Sequence, residues 1–496
     1  MLLFLRLFLL CCTLFSFSTL KANNIAVSNI SLTGQNAASN YTLIKFDLSW
    51  ENSWRISVGP SNWDAAWVFA KYRYNGGEWE HVTLSDDPNH HSVPAGAEFE
   101  LSGTSSSAHG ILLQRDADGS GNIDWDGIQV RWEYNNEIPD DAIIDVKVFA
   151  IEMVYIPQGT FVLGENESLA PSVSSLFEYG EDVYWLNTES EISVGATEGS
   201  LYYNSSEFGG DRLGPIPASF PKGYDAFYCM KYEISEAQWV SFFNCLTLEG
   251  KESRDVTSAS GKDSDETVKR NTVAWFGGGN ATTTAPDRAM SFLSAADLNA
   301  YLDWAALRPI TELEFEKACK GGEFPEQSTY AWGSVEIHNM PYILSNVDTP
   351  NELITNLGVY IGNALYASTS TQIDGPVRSG IFAASSVNHN RAETGGSYYG
   401  VMELSGNLYE RVVTVGSPEG RAYTGEMGDG RIDARFAEGD VDDWPRDFQG
   451  KGYAFRGGSW GDVKERLLVT DRALSVTTAV GDRSALAGGR GGISAP

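Results

Sequence analysis

Cysteine is scarce in this sequence. The 496 residues hold five, and Cys11 and Cys12 lie in an apolar N-terminal run. Cys229, Cys245 and Cys319 are left, an odd count too low for a disulfide framework. One bridge is open to them, but buried free thiols suit so few cysteines better. No CxxC and no Cys/His cluster occurs, and the six histidines show no HxxxH spacing. A zinc or non-haem iron centre built on histidine therefore has little support. Positive charge is short as well: 35 Lys and Arg face 66 Asp and Glu, for a formal charge of -31. Such a surface repels phosphate backbones and anionic headgroups, which argues against nucleic acid as a partner. It suits a cation-rich exterior and bound Ca²⁺, and it is met equally by solvation alone. Charged residues are only 20%, too few for coiled coils or long solvated helices.

Apolar material is ample. Hydrophobic residues make up 42% and aromatics 12%, enough for packed cores and against wholesale disorder. At about 150 residues per domain the length fits three domains or two large ones. Residues 1–22 read as a secretory signal peptide cleaved after Ala22. The apolar stretch Leu7 to Leu20 is about 14 residues, short for a membrane span, and no second segment is long and apolar enough to span. The expected location is secreted, periplasmic or extracellular.

Residues 23–150 alternate apolar and polar positions, as in Asn40–Trp50, Ala66–Tyr74, Ile128–Tyr134 and Asp145–Ile151. Period-two patterning with turn clusters such as Asn75-Gly76-Gly77 predicts an antiparallel β-sandwich. Within it Asp116, Asp118, Ser120 and Asp124 take the oxygen positions of an EF-hand-like calcium loop, with Gly121 at the sixth place. Position 12 is Gly127, where a carboxylate should close the cage. The other reading of this stretch is a Gly-rich hairpin turn.

Residues 151–496 change character. Capping boxes at Ser235–Gln238, Ser294–Asp297 and Thr311–Glu314 predict three helices, reaching to about Leu246, Ala306 and Lys320. Loops rich in Gly, Asn and Thr dominate the rest, and the polar stretch Asp255–Thr284 reads as a surface insertion. Five ordered landmarks follow one another. They are Met153-Val-Tyr-Ile-Pro-Gln-Gly-Thr-Phe-Val-Leu-Gly164, Tyr232-Glu-Ile-Ser-Glu-Ala-Gln-Trp239, Trp304-Ala-Ala-Leu-Arg-Pro-Ile-Thr-Glu-Leu-Glu-Phe-Glu316, Tyr399-Gly-Val-Met-Glu-Leu-Ser-Gly-Asn-Leu-Tyr-Glu410 and Phe455-Arg-Gly-Gly-Ser-Trp460. In this order they resemble the formylglycine-generating enzyme family, also called sulfatase-modifying factors. The resemblance covers about 340 residues. It implies an irregular C-type-lectin-like domain over residues 151–496, so that with the β-sandwich read from the N-terminal patterning the chain is expected to be α+β.

The resemblance also implies chemistry. The family's oxidase converts a substrate cysteine to formylglycine with O₂ and copper, and two cysteines soon after R-G-G-S hold Cu(I). Soft thiolates are the right ligands for that ion. Here no cysteine follows Cys319, so the pair is missing and a copper oxidase is disfavoured. A Ca²⁺ site of the family maps onto the Glu403 and Glu410 carboxylates and the carbonyls of Gly406 and Leu408; the alternative is that Glu410 pairs with Arg411 or Arg456. A second family site maps less closely onto Asn363 and Asp374. Arg456 and Arg490 read as core braces. The expected function is a non-catalytic binding or structural module facing a protein or glycan at the cell surface. The alternative is a formylglycine-generating oxidoreductase acting on a sulfatase cysteine.

Overall fold

The computed structural model describes residues 24–496 except 105–106, 136–137, 166–173, 182, 205–206, 324–328 and 447–449. The leader expected at residues 1–22 lies outside the described residues. Among the described residues no helix is long and apolar enough to cross a membrane.

Eight strands come first: β1 (Ala26–Asn36), β2 (Tyr41–Arg55), β3 (Asp64–Tyr74), β4 (Glu80–His81), β5 (Ala97–Thr104), β6 (Ser107–Arg115), β7 (Gly119–Glu133) and β8 (Ile144–Ile156). In β2 the alternation does what its period requires: Ile44, Phe46, Leu48 and Trp50 are buried and their neighbours are not. β2 pairs antiparallel with β1 on one side and β7 on the other. A second antiparallel sheet runs β5-β6-β3-β8 and continues through the strands Phe227–Met230, Gly491–Ser494 and Arg308–Pro309. The two sheets share one apolar core, with Ile44, Phe46, Val68, Ile111, Val130 and Trp132 among its members.

The structure departs from the sequence reading at β3. This strand is buried on both faces along most of its length. Ala66, Val68 and Ala70 face the N-terminal core, while Ala65, Trp67 and Phe69 enter a larger core built by the rest of the chain. Strands covered on both sides lose the polar half of their pattern. Lys71 is the exception that shows why: it is only 1% exposed, and its ammonium reaches the carbonyls of Trp304 at 2.6 Å and Gly430 at 2.5 Å and His81 Nδ1 at 2.9 Å. A buried lysine is tolerated because its three protons each meet an acceptor.

Residue 150 falls inside β8. That strand pairs with β3 from Ile144 to Val154 and with Phe227–Met230 from Met153 to Ile156. One sheet therefore crosses the boundary drawn at 150/151, and the two parts share a strand.

Among the described residues the longer helices, of seven residues or more, are α1 (Glu236–Phe243), α2 (Leu248–Arg254), α3 (Ala295–Trp304) and α4 (Glu312–Lys320). The caps do as their residues dictate. The hydroxyls of Ser235, Ser294 and Thr311 accept the third backbone N–H of α1, α3 and α4, and Gln238, Asp297 and Glu314 accept the cap N–H in return. α1 and α3 end two or three residues before the sequence limits. The stretch Asp255–Thr284 is not simply a surface insertion, since Val256, Asn271, Val273 and Trp275 are buried. The Glu236 carboxylate of α1 ties it inward by accepting from Thr272 N at 3.1 Å and Thr283 Oγ1 at 2.5 Å.

Candidate functional site

A buried polar cluster lies where the loop Val401–Glu410 meets Arg490. The loop has little sheet or helix bonding, so its backbone must find partners individually. Gly406 sits at φ +90°, and a Cβ there would lie 2.5 Å from the Leu365 carbonyl oxygen, so only glycine fits. Asn407 is the hub. Its Oδ1 accepts from Val377 N at 2.9 Å, its Nδ2 donates to Glu233 at 2.5 Å, and Glu233 also accepts from Leu408 N at 2.9 Å. The loop's N–H groups are thus well served.

Its oxygens are not. Glu403 and Glu410 are 3% and 1% exposed. Glu403 Oε1 accepts from Gly380 N at 2.9 Å, and Glu410 Oε1 accepts from Arg490 Nε at 2.6 Å. The second carboxylate oxygen of each has no partner. Among the described residues, no backbone N–H reaches the carbonyls of Gly406 or Leu408 either. Buried oxygens without donors are costly and call for an explanation. Burial pushes the Glu403 carboxyl up to about 7, and it raises Glu410 and Glu233 as well. The oxygens left over come from the same four residues that the sequence reading assigned to Ca²⁺, and all are hard donors.

The expected competition for Glu410 takes a different form. Arg411 donates to the carbonyls of Val480, Gly488 and Asp482, and Arg456 to Glu312 and Val469. Arg490 is the partner of Glu410, and it leaves one oxygen free. Glu233 escaped the sequence reading although it stands in the Tyr232–Trp239 landmark.

The other candidate residues are not gathered in this way. Asn363 is buried and fully engaged: Oδ1 accepts from Tyr342 and Gly358 N, and Nδ2 donates to the carbonyls of Gly358, Ile361 and Glu393. Asp374 is exposed, and both its oxygens hold the Lys269 ammonium, at 2.7 and 2.8 Å. The two share no partner. Ser120 and Asp124 lie in β7, paired with Trp54 and Ser49 of β2. In extended strand they stand roughly 13 Å apart along the chain, so they do not wrap a common point. Asp118 instead accepts from the backbone N and hydroxyl of Ser57. The stretch is an extended strand following a short turn at Asp116–Asp118, with no cage around it.

A family model described as sulfatase-modifying factor enzyme 1-like domain matches residues 146–484. The chain belongs to the sulfatase-modifying factor family. The match begins within β8, inside the shared sheet. No curated protein matches the chain.

In this family member the turn after Arg456-Gly-Gly-Ser459 is closed by a carboxylate. Asp462 accepts from Ser459 Oγ at 2.5 Å, Ser459 N at 3.0 Å and the Tyr409 hydroxyl at 2.7 Å. On either side of it in the chain, Arg456 and Arg472 grip Glu312 of α4 at 2.8 and 2.6 Å. Burial opposes its charge, but the two guanidiniums hold Glu312 down to about 2. The landmark arginine is therefore a structural brace. Cys229 and Cys319 are fully buried in one apolar cluster, and Cys245 lies in another. All three are free. Burial pushes the Cys229 thiol up to about 12 and raises Cys319 and Cys245. Protonated sulfur is a poor metal ligand.

Sequence reasoning also missed a carboxylate trio. Asp303, Asp429 and Asp440 have oxygens within 4.8 Å of one another. Asp303 is buried at the end of α3 and accepts from Asp429 N at 3.2 Å and Asp440 N at 2.8 Å. Nothing in the spacing of 303, 429 and 440 could have joined them. Burial raises Asp303 to about 7, far above its unfolded value of about 3.9. The folded state then binds its proton more tightly, so this contribution is present below pH 4 and is lost as pH rises through 7. Thermal melts of the wild type are expected to show the midpoint falling over that window. Asp303→Asn should flatten the slope whatever it does to the midpoint, and an unchanged slope would contradict the assignment.

Proposed function

We propose that this chain is an exported, non-catalytic binding or structural module of the sulfatase-modifying factor family, braced by Ca²⁺. The observation that carries the reading is the sulfur inventory. The turn following Arg456-Gly-Gly-Ser459 holds Asp462, whose two oxygens already take three hydrogen bonds, and the described cysteines are buried thiols in apolar clusters. These residues do not fit Cu(I), which needs accessible thiolates. The unpartnered oxygens of the Val401–Glu410 loop are hard donors and favour a hard cation there. Glu403, Glu410 and the carbonyls of Gly406 and Leu408 would hold Ca²⁺, and the ion would tie a loop that lacks regular backbone bonding.

The two N-terminal sheets closed on one core are read as a β-sandwich, and the irregular remainder as a C-type-lectin-like domain. Such a domain tolerates large changes of its loops, which favours binding as its use. A protein or glycan at the cell surface is the partner the acidic surface allows; nucleic acid is opposed by the charge. The second reading, a formylglycine-generating oxidoreductase acting on a sulfatase cysteine, is favoured by the family match at residues 146–484. It would need a copper site of unfamiliar composition.

An anaerobic titration separates the two. The whole chain is set against a chromophoric Cu(I) chelator, and the expected result is that the chelator keeps its metal. Withdrawal of one equivalent of Cu(I) by the protein would contradict the reading.

A further inference from the structure

A cleft of about 380 Å³ opens on the family domain. One wall is the turn Val268–Asn271. The other is the hairpin made by the strands Leu344–Ser345 and Leu353–Ile354. Ile343, Leu344, Val347 and Ile373 give it apolar sides, and Arg270, Asp348 and Gln372 stand at its rim.

The backbone around this cleft is strained. Lys269 and Arg270 have φ of +46° and +65°, in a two-residue turn closed by reciprocal bonds between Val268 and Asn271. That geometry favours Gly or Asn at both positions and disfavours a lysine and an arginine there. Asn346 and Asp348 on the facing hairpin, and Asp374 beside Ile373, are also left-handed. Strain of this kind persists only where neighbours over-determine it, and it gathers at ligand sites.

The neighbours are a second arginine and two carboxylates. Arg270 donates to the Pro376 carbonyl at 3.1 Å, to Asp348 at 3.4 Å and to Glu352. From behind, the buried Arg288 donates to Asp348 and to the Arg270 carbonyl. Glu352 and Arg288 are 1% and 2% exposed, so two planar rim groups are locked from inside the protein. Two guanidiniums answer two carboxylates, and the rim offers no unbalanced charge.

This combination selects a ligand class. An ion would find no counter-charge to offset its desolvation, and the acidic surface repels anions further. A neutral ligand with adjacent hydroxyls would use the side-by-side donors and acceptors of Arg270, Asp348 and Gln372. Its C–H face would cover Ile343 and Val347, which are 53% and 51% exposed. The volume lies at the low end of small-ligand sites, enough for about one or two sugar rings. We infer that the cleft binds a neutral glycan, with the planar rim taking vicinal hydroxyls and the apolar sides taking the ring. The inference rests on the binding-module reading and places its glycan face.

The test is saturation-transfer NMR on the whole chain. The probes are glucose, galactose, mannose, fucose, N-acetylglucosamine, lactose and cellobiose, beside glucuronate and an acetylated Ala-Phe-Ser-Thr peptide. At least one neutral sugar is expected to bind in the millimolar range, and glucuronate is not. Gln372→Ala and Ile343→Asp change exposed side chains, so both variants should keep the wild-type melt; each should weaken sugar binding about tenfold. Absence of any sugar signal, binding that survives both variants, or binding of the peptide alone would overturn the inference. None of these outcomes touches the Cu(I) titration, so failure of the cleft and failure of the non-catalytic reading are distinguishable.

Discussion

Removing divalent cations with EDTA is expected to lower the unfolding midpoint by about 5 °C, and millimolar Ca²⁺ to restore it. A ligand at a hundred times its Kd adds about 2.7 kcal/mol to the folded state. In a chain of this size each kcal/mol moves the midpoint by about 2 °C. The effect should originate at the Val401–Glu410 loop, where among the described residues two buried carboxylate oxygens have no donor and two carbonyls meet no backbone N–H. Mg²⁺ should not substitute, because it dehydrates reluctantly and demands octahedral geometry that a loop of carbonyls does not supply. Glu403→Gln keeps a hydrogen-bond acceptor for Gly380 N but removes the charge. It should abolish the Ca²⁺ response while leaving the apo midpoint near that of the EDTA-treated wild type. A melt insensitive to EDTA and Ca²⁺ would remove calcium from the account.

A larger effect is expected from cutting the chain between Ala150 and Ile151. The position is attractive from sequence, since strand patterning gives way there to capped helices. In the structure it severs β8, which pairs with β3 over eleven residues. The fragment 151–496 would lose the cover over its main core that Ala65, Trp67 and Phe69 provide. Burying each of the two aromatics is worth about 1.5–3 kcal/mol, and together with the lost pairing the deficit approaches the net stability of a domain, about 5–15 kcal/mol. Polar ties would go too. Lys231 sits 3.9 Å from Asp64, Asn62 donates to the Tyr399 carbonyl at 2.6 Å, and Lys71 holds the Trp304 and Gly430 carbonyls. The expected result is an insoluble or molten fragment with little near-ultraviolet circular dichroism. The whole chain should melt in a single calorimetric transition. A soluble 151–496 fragment with native dichroism, or two separate transitions, would show that the shared strand is not essential.

How much of this was legible in the residues depends on the reach of each signal. Capping boxes are local, and Ser235, Ser294 and Thr311 open helices where the pattern put them. The five landmarks are ordered and long, and they identify the family and the loop that carries Glu403 and Glu410. Signals that depend on distant partners were lost. β3 reads as a half-exposed strand until α3 covers its second face. Lys71 reads as solvated until the carbonyls at 304 and 430 reach it. The oxygens of Asp116–Asp124 have the spacing of a cation loop, but pairing with β2 draws most of that stretch straight. Asp374 reads as a ligand until Lys269 takes both its oxygens. Arg490 is assigned correctly as a brace, yet its partner Glu410 is eighty residues away. The trio of Asp303, Asp429 and Asp440 has no sequence signature at all.

The central claim is that the family fold is kept here without the family's copper chemistry. The most direct measurement is turnover. The whole purified chain, copper-loaded and in air, is incubated with a Cys-x-Pro-x-Arg peptide, and the peptide mass is followed beside an active family enzyme. The account predicts an unchanged cysteine under conditions where the control converts fully. Conversion of that cysteine to formylglycine would contradict it.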